Sequence, residues 1–486
     1  MIHLLKFLYR EKKMFNIKKY RKERLKKSIF GHFFQRGKVL CTYNALKIIT
    51  IYFNAIFYPY LLRTTEIPIA KVLEEVPEVI REEFISVLTK ICNAHILVPV
   101  NYDELIYFER VKKIAFNGPN IRVLVLHLTD YCNLRCRYCF IEGNISKGYK
   151  RQNMTEEVME KAIDKFSQVI AGRTFPKPPS IVLYGGEPLL NWKVIKYGLE
   201  YLQKCQKTGN LPSKVDKILI TNGTLISPEI VGELKKHDVM VSVSIDGPKK
   251  IHDLNRVSRN GKGSFEKTLA GFHVLKKAGI RPTVSCVLNR ESLGHATDII
   301  RWLVDKLGIR ALGFNHVSIV PNVFTYDPVY EANFGKALIE VQEVIQDSYP
   351  EVYERRMNHK INAFLDREIL KADCTGCGEQ MSVSPDGQIG ICQGYMGSRK
   401  TFGGSVFDAD YDPSRDSVFI DWSRRSPLNM PQCYHCSALA TCGGGCPRNA
   451  DYINGSIWEV DSAFCHFAKK AQEWMIWKKY ETSQQK

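Results

Sequence analysis

The sequence predicts an α/β protein built around a partial (β/α)6 barrel, with a small winged-helix-like module before it and a loop-rich domain after it. Strand-like and helix-like segments alternate six times within residues 117–345, which is typical of parallel βα units. Residues 1–110 contain helical segments and a short apolar run, whereas residues 370–486 are rich in glycine and cysteine. We therefore expect three domains.

The first region begins with a basic arm. The chain of 486 residues has a net charge of +18, and residues 1–40 contain thirteen Lys and Arg against two Glu. Such an arm can contact an acidic peptide, nucleic acid or anionic lipid, and a solvated tail explains it equally well. Pro77–Ile91 has helical spacing. Ala45–Leu62 predicts a buried helix, because its polar residues and proline make it a poor membrane span.

The cysteines are numerous and clustered. Fifteen are present, with no recognisable secretory signal, so we expect a cytoplasmic protein in which disulfides are disfavoured. Three cysteines lie in residues 132–139, three in 374–392 and five in 433–465, and this clustering favours metal or cluster ligation. The remaining four, expected to be buried apolar residues, are Cys41, Cys92, Cys205 and Cys286.

The central region supplies the predicted barrel. Its expected strands are Arg122–Leu128, Ser180–Tyr184, Lys217–Thr221, Val239–Ile245, Arg281–Leu288 and Ala311–His316. The helices expected between them are Glu156–Ile170, Trp192–Cys205, Pro228–Lys236, Phe265–Ala278 and Gly294–Leu307. Functional groups of such barrels lie on the loops that follow the strands. The residues after each strand are therefore the candidates for chemistry.

The loop after the first strand carries Cys132, Cys136 and Cys139 in a Cys-x-x-x-Cys-x-x-Cys pattern. Three thiolates on one loop can hold three irons of a cubane cluster that normally takes four cysteines. The fourth iron is then open to a substrate. Zinc is the alternative, but structural zinc sites pair two such motifs or add histidines, and no partner follows nearby.

This motif on a βα barrel resembles the radical S-adenosylmethionine (radical SAM) superfamily over roughly residues 117–345. The resemblance implies a 4Fe–4S cluster on Cys132, Cys136 and Cys139, whose open iron is chelated by S-adenosylmethionine. In that family an electron from the cluster breaks the S–C5′ bond. The resulting 5′-deoxyadenosyl radical abstracts a hydrogen from the substrate.

Two further segments match the family. The tetrapeptide Gly185-Gly186-Glu187-Pro188 follows the second strand and resembles the motif that binds the methionine amino group. Its glycines allow close approach of the backbone, and Glu187 can accept from an ammonium. Tyr138 matches an aromatic position that packs near the adenine.

Later strands supply the remaining cofactor candidates. The resemblance implies that Ser244 and Arg256 contact the ribose or the methionine carboxylate, with Asp246 in the same segment. The ordinary alternatives are a turn at Asp246 and a surface ion pair for Arg256. Leu312, on the last strand, is a candidate contact of the adenine. No catalytic residue is assigned.

Eight cysteines after residue 370 resemble the SPASM extension of radical enzymes that modify peptides and proteins. The resemblance implies two fully ligated auxiliary 4Fe–4S clusters. The first auxiliary set is Cys374, Cys377, Cys392 and Cys446. The second auxiliary set is Cys433, Cys436, Cys442 and Cys465. Two zinc sites are the alternative, although the upstream motif favours clusters.

The leading hypothesis for function is a maturase of a ribosomally made peptide, a radical oxidoreductase that installs a thioether or carbon–carbon cross-link. The winged-helix-like module would bind the leader of the precursor peptide as an added strand, at an edge formed by Ala94–Val100 and Tyr102–Phe108. A basic arm would suit an acidic leader. A flavodoxin- or ferredoxin-type protein is the expected electron donor.

Two other functions compete with it. An anaerobic sulfatase-maturating enzyme would form formylglycine, but those enzymes carry an aspartate, proposed as general base, after the cysteine equivalent to Cys392. This chain has Gln393 there, which cannot take a proton near neutral pH, although Asp386 could substitute. A zinc-containing nucleic-acid-binding protein is the third hypothesis. On balance we expect neither a nucleic-acid partner nor a transmembrane segment.

Overall fold

The N-terminal module consists of two small antiparallel sheets, one of two strands and one of three, with helices packed against them. The computed structural model describes residues 15–116, 118–145, 148–320 and 324–485, so the first part of the predicted basic arm, residues 1–14, lies outside the described residues. The strands are β1 Leu25–Lys27, β2 Gly31–Arg36, β3 Val39–Asn44, β4 Ile49–Asn54 and β5 Leu97–Pro99. The helices are α1 Ile17–Tyr20, α2 Tyr58–Glu66, α3 Ile69–Glu75, α4 Glu78–Asn93 and α5 Glu104–Ala115.

Two expectations for this module are wrong. Ala45–Leu62 is not one helix: a turn at 45–48 leads into β4, because Asn44 accepts from the amides of Leu46 and Lys47 and the β-branched and aromatic residues that follow favour a strand. Ala94–Val100 and Tyr102–Phe108 do not form a strand pair. β5 pairs with β1 instead, and most of the second segment belongs to α5.

The module's three-stranded sheet, in the order β2-β3-β4, lies between two cores. Leu40 packs with Phe57, Phe84 and other residues of the module's helices. Cys41 and its neighbours on the opposite face pack against the C-terminal helix, and the Tyr52 hydroxyl donates to the carbonyl oxygen of Ile476 at 2.6 Å. The module is thus docked on the far end of the chain.

The central region forms the predicted partial barrel, with six parallel strands in sequential order. They are β6 Val123–His127, β7 Ser180–Tyr184, β8 Asp216–Thr221, β9 Val239–Ser244, β10 Thr283–Leu288 and β11 Ala311–His316. The helices are α6 Phe140–Gly143, α7 Glu156–Ile170, α8 Trp192–Lys207, α9 Pro228–Lys236, α10 Lys249–Asn255, α11 Phe265–Lys277, α12 Arg290–Leu293 and α13 Ala296–Leu307. The longer helices cover the apolar outer face of the sheet.

The C-terminal region is less independent than the sequence suggests, because it extends the barrel sheet. Its strands are β12 Tyr353–Glu354, β13 Gln380–Val383, β14 Gln388–Gly390 and β15 Phe402–Ser405. β13 pairs in parallel with β6, and β14 and β15 continue the same sheet. The helices are α14 Pro328–Ser348, α15 Arg355–Asp366, α16 Ser417–Arg424, α17 Leu439–Cys442, α18 Pro447–Asn454 and α19 Ser462–Gln484. No helix within the described ranges is long and apolar enough to cross a bilayer.

A buried carboxyl on α14 predicts a pH-dependent stability. Glu331 is fully buried, and both its oxygens lack hydrogen-bond partners among the described residues. Burial, reinforced by Asp461 and Asp327, raises its pKa to about 8. The folded state therefore binds this proton more tightly than the unfolded state does, and stability is lost as the pH rises from about 4.5 to about 8.

Glu331→Gln should remove this loss of stability at high pH. We expect the free energy of unfolding at pH 8.5 to rise by up to about 5 kcal/mol, with little gain at pH 4.5, in urea denaturation at the two pH values. Glu340→Gln, on a more exposed position of the same helix, is the control and should change neither value appreciably. An equal gain from Glu331→Gln at both pH values would contradict the titration.

Candidate functional site

The loop after β6 brings the three predicted cluster ligands together. Cys132, Cys136 and Cys139 are all partly covered, and the Cys139 amide donates to the Cys136 carbonyl at 3.1 Å. Burial raises the pKa of Cys132 to about 12, and the Cys136 and Cys139 thiols add to the rise. Thiolates in this position therefore need a compensating cation, which is the role that cluster iron fulfils.

A second segment, after α10, holds this loop in place. The amides of Arg135 and Arg137 donate to the carbonyls of Val257 and Asn255 at 2.7 and 3.0 Å. The Arg259 Nε donates to the carbonyl of Cys132 at 2.6 Å. These contacts cannot be predicted from the sequence, because nothing in a linear pattern indicates which distant backbone will pair with an irregular loop.

Tyr138, Asp246 and Arg256 form one buried cluster beneath the cysteine loop. The Tyr138 hydroxyl and the Arg256 Nε both donate to Oδ2 of Asp246, the latter at 3.0 Å. Arg256 is 7% exposed and Asp246 fully buried, so the alternative of a surface ion pair is wrong. Arg256 opposes the effect of burial on the pKa of Cys136. The cluster therefore ties the loop to the end of β9, and a contact of these residues with the cofactor stays a prediction.

Gly185 and Gly186 lie where β7 passes closest to the cysteine loop. A Cβ on Gly185, whose φ is +153°, would stand 2.8 Å from the carbonyl oxygen of Thr129. A Cβ on Gly186 would stand 2.3 Å from that of Tyr131. Because no side chain fits there, the two glycines set the position of the loop that carries Cys132.

Glu187 is a buried acceptor at the same end of the barrel. Its carboxylate accepts from the Thr221 hydroxyl at 2.6 Å and from the amides of Asn222 and Leu189 at 2.8 and 3.2 Å. Burial raises its pKa to about 7. It has no ion-pair partner among the described side chains, so a ligand ammonium would suit this position.

The other two predicted contacts fall on opposite faces of the sheet. Ser244 is paired in register with Ser285, whose hydroxyl accepts from the Asn315 amide at 3.1 Å, so these polar side chains share the inner face. Leu312 lies three positions before Asn315, so its side chain points to the other, outer face of the sheet, where it is 3% exposed in the main core. The Leu312 side chain therefore does not share a face with Ser244, and a contact of residue 312 with the adenine stays a prediction.

The cysteines of the first auxiliary set lie in one neighbourhood. After burial, the groups that most raise the pKa of the Cys374 thiol are Cys377, Cys446 and Cys392, which are the other three members of the set. β13 and β14 carry the intervening chain back to this neighbourhood. The four residues thus meet although they span more than seventy positions of the chain.

The cysteines of the second auxiliary set line a single cavity, which opens to solvent and has about 390 Å³ of empty space when that open part is included. Its cysteines are Cys433, Cys436, Cys442 and Cys465. Burial raises the pKa of Cys433 to about 11, with Cys436 and Cys465 adding to the rise. The cavity and its all-sulfur donor set fit a cluster with four cysteine ligands.

A zinc ion and a cubane cluster need different spacings of their cysteine ligands. Zn–S bonds of about 2.3 Å would bring four sulfur atoms within about 4 Å of one another. Within the described ranges, no three His, Cys, Asp or Glu side chains converge closely enough to hold a single metal ion. Cysteines that surround a larger volume suit a cubane cluster, which is wider than one ion.

Gln393 lies beside the first auxiliary set and is held by the protein. Its Oε1 accepts from Nε2 of Gln380 at 2.9 Å, and Gln380 also donates to the carbonyl of Ile391. Asp386, the possible substitute base, forms an ion pair with Arg399 at 3.2 Å. Neither residue is a free base in this arrangement.

Comparisons with known proteins agree with this geometry. The radical SAM superfamily profile matches residues 126–303. The chain is 27% identical over 380 residues to the radical SAM cyclopropyl synthase TigE of Paramaledivibacter caminithermalis, covering 74% of this chain and 75% of that protein. It is 26% identical to a cysteine-type anaerobic sulfatase-maturating enzyme of Clostridium perfringens, covering 73% of this chain and 96% of the relative.

Solved structures show the same fold. The sulfatase-maturating enzyme anSMEcpe with bound AdoMet superposes with a TM-score of 0.63 at 24% identity, covering 74% of this chain and 99% of that one. Streptococcus suis SuiB bound to its precursor peptide SuiA superposes with a TM-score of 0.52 at 16% identity, covering 91% of this chain and 99% of that one.

The parallel partial barrel, with three cysteines on the loop after its first strand, defines a class of enzymes that use a 4Fe–4S cluster and S-adenosylmethionine. Residues 126–303 carry a radical SAM domain, and over 74% of its length the chain is similar to a radical SAM enzyme. Its relatives include sulfatase-maturating enzymes, and a protein of similar fold has been solved with a bound precursor peptide.

Proposed function

We propose that this enzyme modifies a ribosomally made precursor peptide, forming a thioether or carbon–carbon cross-link. In this proposal Cys132, Cys136 and Cys139 hold the radical SAM cluster, and each auxiliary set holds one further cluster. When bound, the cluster and S-adenosylmethionine supply a 5′-deoxyadenosyl radical that takes a hydrogen atom from the substrate. The chain's own residues place the cofactor: Glu187 binds its ammonium and Ser244 lines the same face.

The free edge of β4 carries this proposal. The Ala55 amide donates to the Lys38 carbonyl, so the neighbouring pair of Val39 and Asn54 is not hydrogen-bonded. Hydrogen-bonded and non-hydrogen-bonded pairs alternate along an antiparallel ladder, so the N–H and C=O groups of Thr50 and Tyr52 also point away from β3. Within the described part of the chain no strand pairs with that outer edge. An extended peptide could bind there as a fourth strand.

The surroundings of β4 support a peptide as the ligand. Ile49, Ile51 and Phe53 are only half-buried and pack towards the module's helices, so apolar side chains of an added strand could contact them. α4 lies beside β4. The bound peptide would then lie in a groove with the edge of β4 as one wall and α4 as the other. SuiB, whose structure contains a precursor peptide, matches 91% of this chain, whereas the sulfatase-maturating enzyme matches 74%.

The substrate test requires a candidate peptide, which a short open reading frame beside the gene would supply. Incubation of that peptide with the anaerobic enzyme, S-adenosylmethionine and a reduced flavodoxin- or ferredoxin-type donor should remove two hydrogen atoms per cross-link, detected by mass spectrometry. 5′-Deoxyadenosine should form alongside. If turnover leaves the mass of every neighbouring peptide unchanged, the maturase proposal fails.

Thr50→Pro tests the docking edge directly. Proline removes the outward N–H of Thr50 but leaves the hydrogen bonds to β3 in place, and edge strands tolerate such a proline. We expect about a tenfold or greater loss of affinity for the leader peptide, measured by fluorescence anisotropy. Thr50→Val keeps the N–H and should bind normally. Equal affinities of the proline and valine variants would place the leader elsewhere.

Sulfatase maturation is the second candidate, favoured by a similarity that covers 96% of the relative. Gln393 counts against it, because its amide is held by Gln380 and has no basic function. A sulfatase peptide containing the target Cys or Ser would distinguish the two. Formation of an aldehyde on that peptide, trapped with a hydrazine reagent, would favour this candidate over cross-linking.

A further inference from the structure

Arg425 is a buried cation without a carboxylate partner. It is the largest fully buried side chain among the described residues. Its Nη1 and Nη2 donate to the carbonyls of Gly444 and Glu459 at 2.7 and 3.2 Å, and its Nε donates to that of Ile457. Within the described ranges no ion pair includes it. A buried charge of this kind costs several kcal/mol unless another charge compensates it.

Arg425 lies between the two auxiliary sets. Gly444, which accepts its hydrogen bond, also donates its own N–H to the sulfur of Cys442 at 3.3 Å. Cys442 belongs to the second auxiliary set, and Cys446 of the first lies two residues beyond Gly444. The guanidinium packs so closely that a Cβ on Gly444 would stand 3.1 Å from its Nη1. The arginine thus holds the short segment that joins the two sets.

Cysteines of both sets flank the segment that Arg425 holds, because Gly444 lies between Cys442 and Cys446. The cysteinate ligands of bound clusters would therefore supply the counter-charge that this buried arginine lacks.

We propose that Arg425 is the shared counter-ion of the two auxiliary clusters and that it raises the reduction potential of both. A cluster with four cysteinate ligands is negatively charged and becomes more so on reduction. A nearby fixed cation stabilises the reduced form more than the oxidised form. The proposal rests on the proposed function, since it requires a cluster on each set, and it assigns Arg425 a positioning and electrostatic role.

Redox titration of the full chain tests this role. The background is the Cys132, Cys136 and Cys139 to alanine variant, so that only auxiliary signals appear in electron paramagnetic resonance. Arg425→Met should decrease the equilibrium constant for reduction of each auxiliary cluster at least tenfold, which is about 59 mV for one electron. Arg425→Lys keeps the charge and should shift each potential by less than that amount.

Lys165 provides a matched control. It is also buried, and its Nζ donates to three backbone carbonyls, those of Asp408, Ala409 and Tyr411, none of which lies in the segment that joins the two auxiliary sets. Lys165→Met should therefore leave both potentials unchanged. If it shifts them as much as Arg425→Met does, the effect is structural and the proposal is overturned.

Other outcomes also decide the question. Two unchanged potentials in Arg425→Met, or a change in only one, would refute a shared counter-ion. If Arg425→Met loses auxiliary iron, the Arg425→Lys variant is measured instead. Retained iron with near-native potentials in that variant would support the counter-ion role of the charge, and lost iron would refute it. If the unmodified chain binds only about four irons, the proposed function itself fails and Arg425 has no clusters to compensate.

Discussion

Replacing Cys132, Cys136 and Cys139 together by alanine is expected to abolish 5′-deoxyadenosine formation, down to the level of an enzyme-free control. The three thiols lie on one loop after β6, and no other described cysteine lies on that loop. Without them S-adenosylmethionine has no open iron to bind. Iron should fall from about twelve to about eight atoms per chain, measured by a colorimetric assay on anaerobically reconstituted protein.

The control for this experiment replaces two buried cysteines that stand apart. Cys92 lies in the core of the N-terminal module and Cys205 on α8, both buried, so the Cys92 and Cys205 to alanine variant should keep its iron and its activity. Persistent 5′-deoxyadenosine formation in the first variant would refute the assigned cluster ligands. A colourless, zinc-loaded wild-type protein would instead support the zinc alternative.

Cys436→Ala combined with Cys442→Ala is expected to stop peptide modification while 5′-deoxyadenosine formation continues. Both cysteines line the cavity of the second auxiliary set, whose lining includes no residue of the radical SAM loop, so only one auxiliary cluster should be lost. Iron should fall by about four atoms per chain. High-performance liquid chromatography measures the nucleoside, and mass spectrometry of the candidate peptide measures the modification.

The matching variant in the first auxiliary set is Cys374→Ala combined with Cys377→Ala. It should also lose about four irons, because each set is expected to hold its own cluster. If either double variant lost about eight irons, the two sets would not bind their clusters independently. If neither lost iron, the cysteines would not be ligands at all.

The barrel could be predicted almost entirely from the sequence. β7 and β11 have the predicted bounds, and the other four parallel strands differ by only one or two residues at an end. Strand and helix periodicities are local, so a linear reading detects them. The N-terminal module was harder. Ile49–Asn54 shows a strand only through its β-branched and aromatic residues, and its neighbours suggested a helix.

The functional site, too, could be predicted only in part from the sequence. Ligand types, spacing and the glycines beside Glu187 are written in consecutive residues, and they determined the class of enzyme and the candidate cysteines of each cluster. Tertiary structure decided which distant groups meet. It pairs β13 with β6, directs Leu312 outward, and places Arg425 against Gly444. Such contacts depend on packing between segments far apart in the chain, and so does the burial that raises the pKa of Glu187. No local pattern encodes either effect.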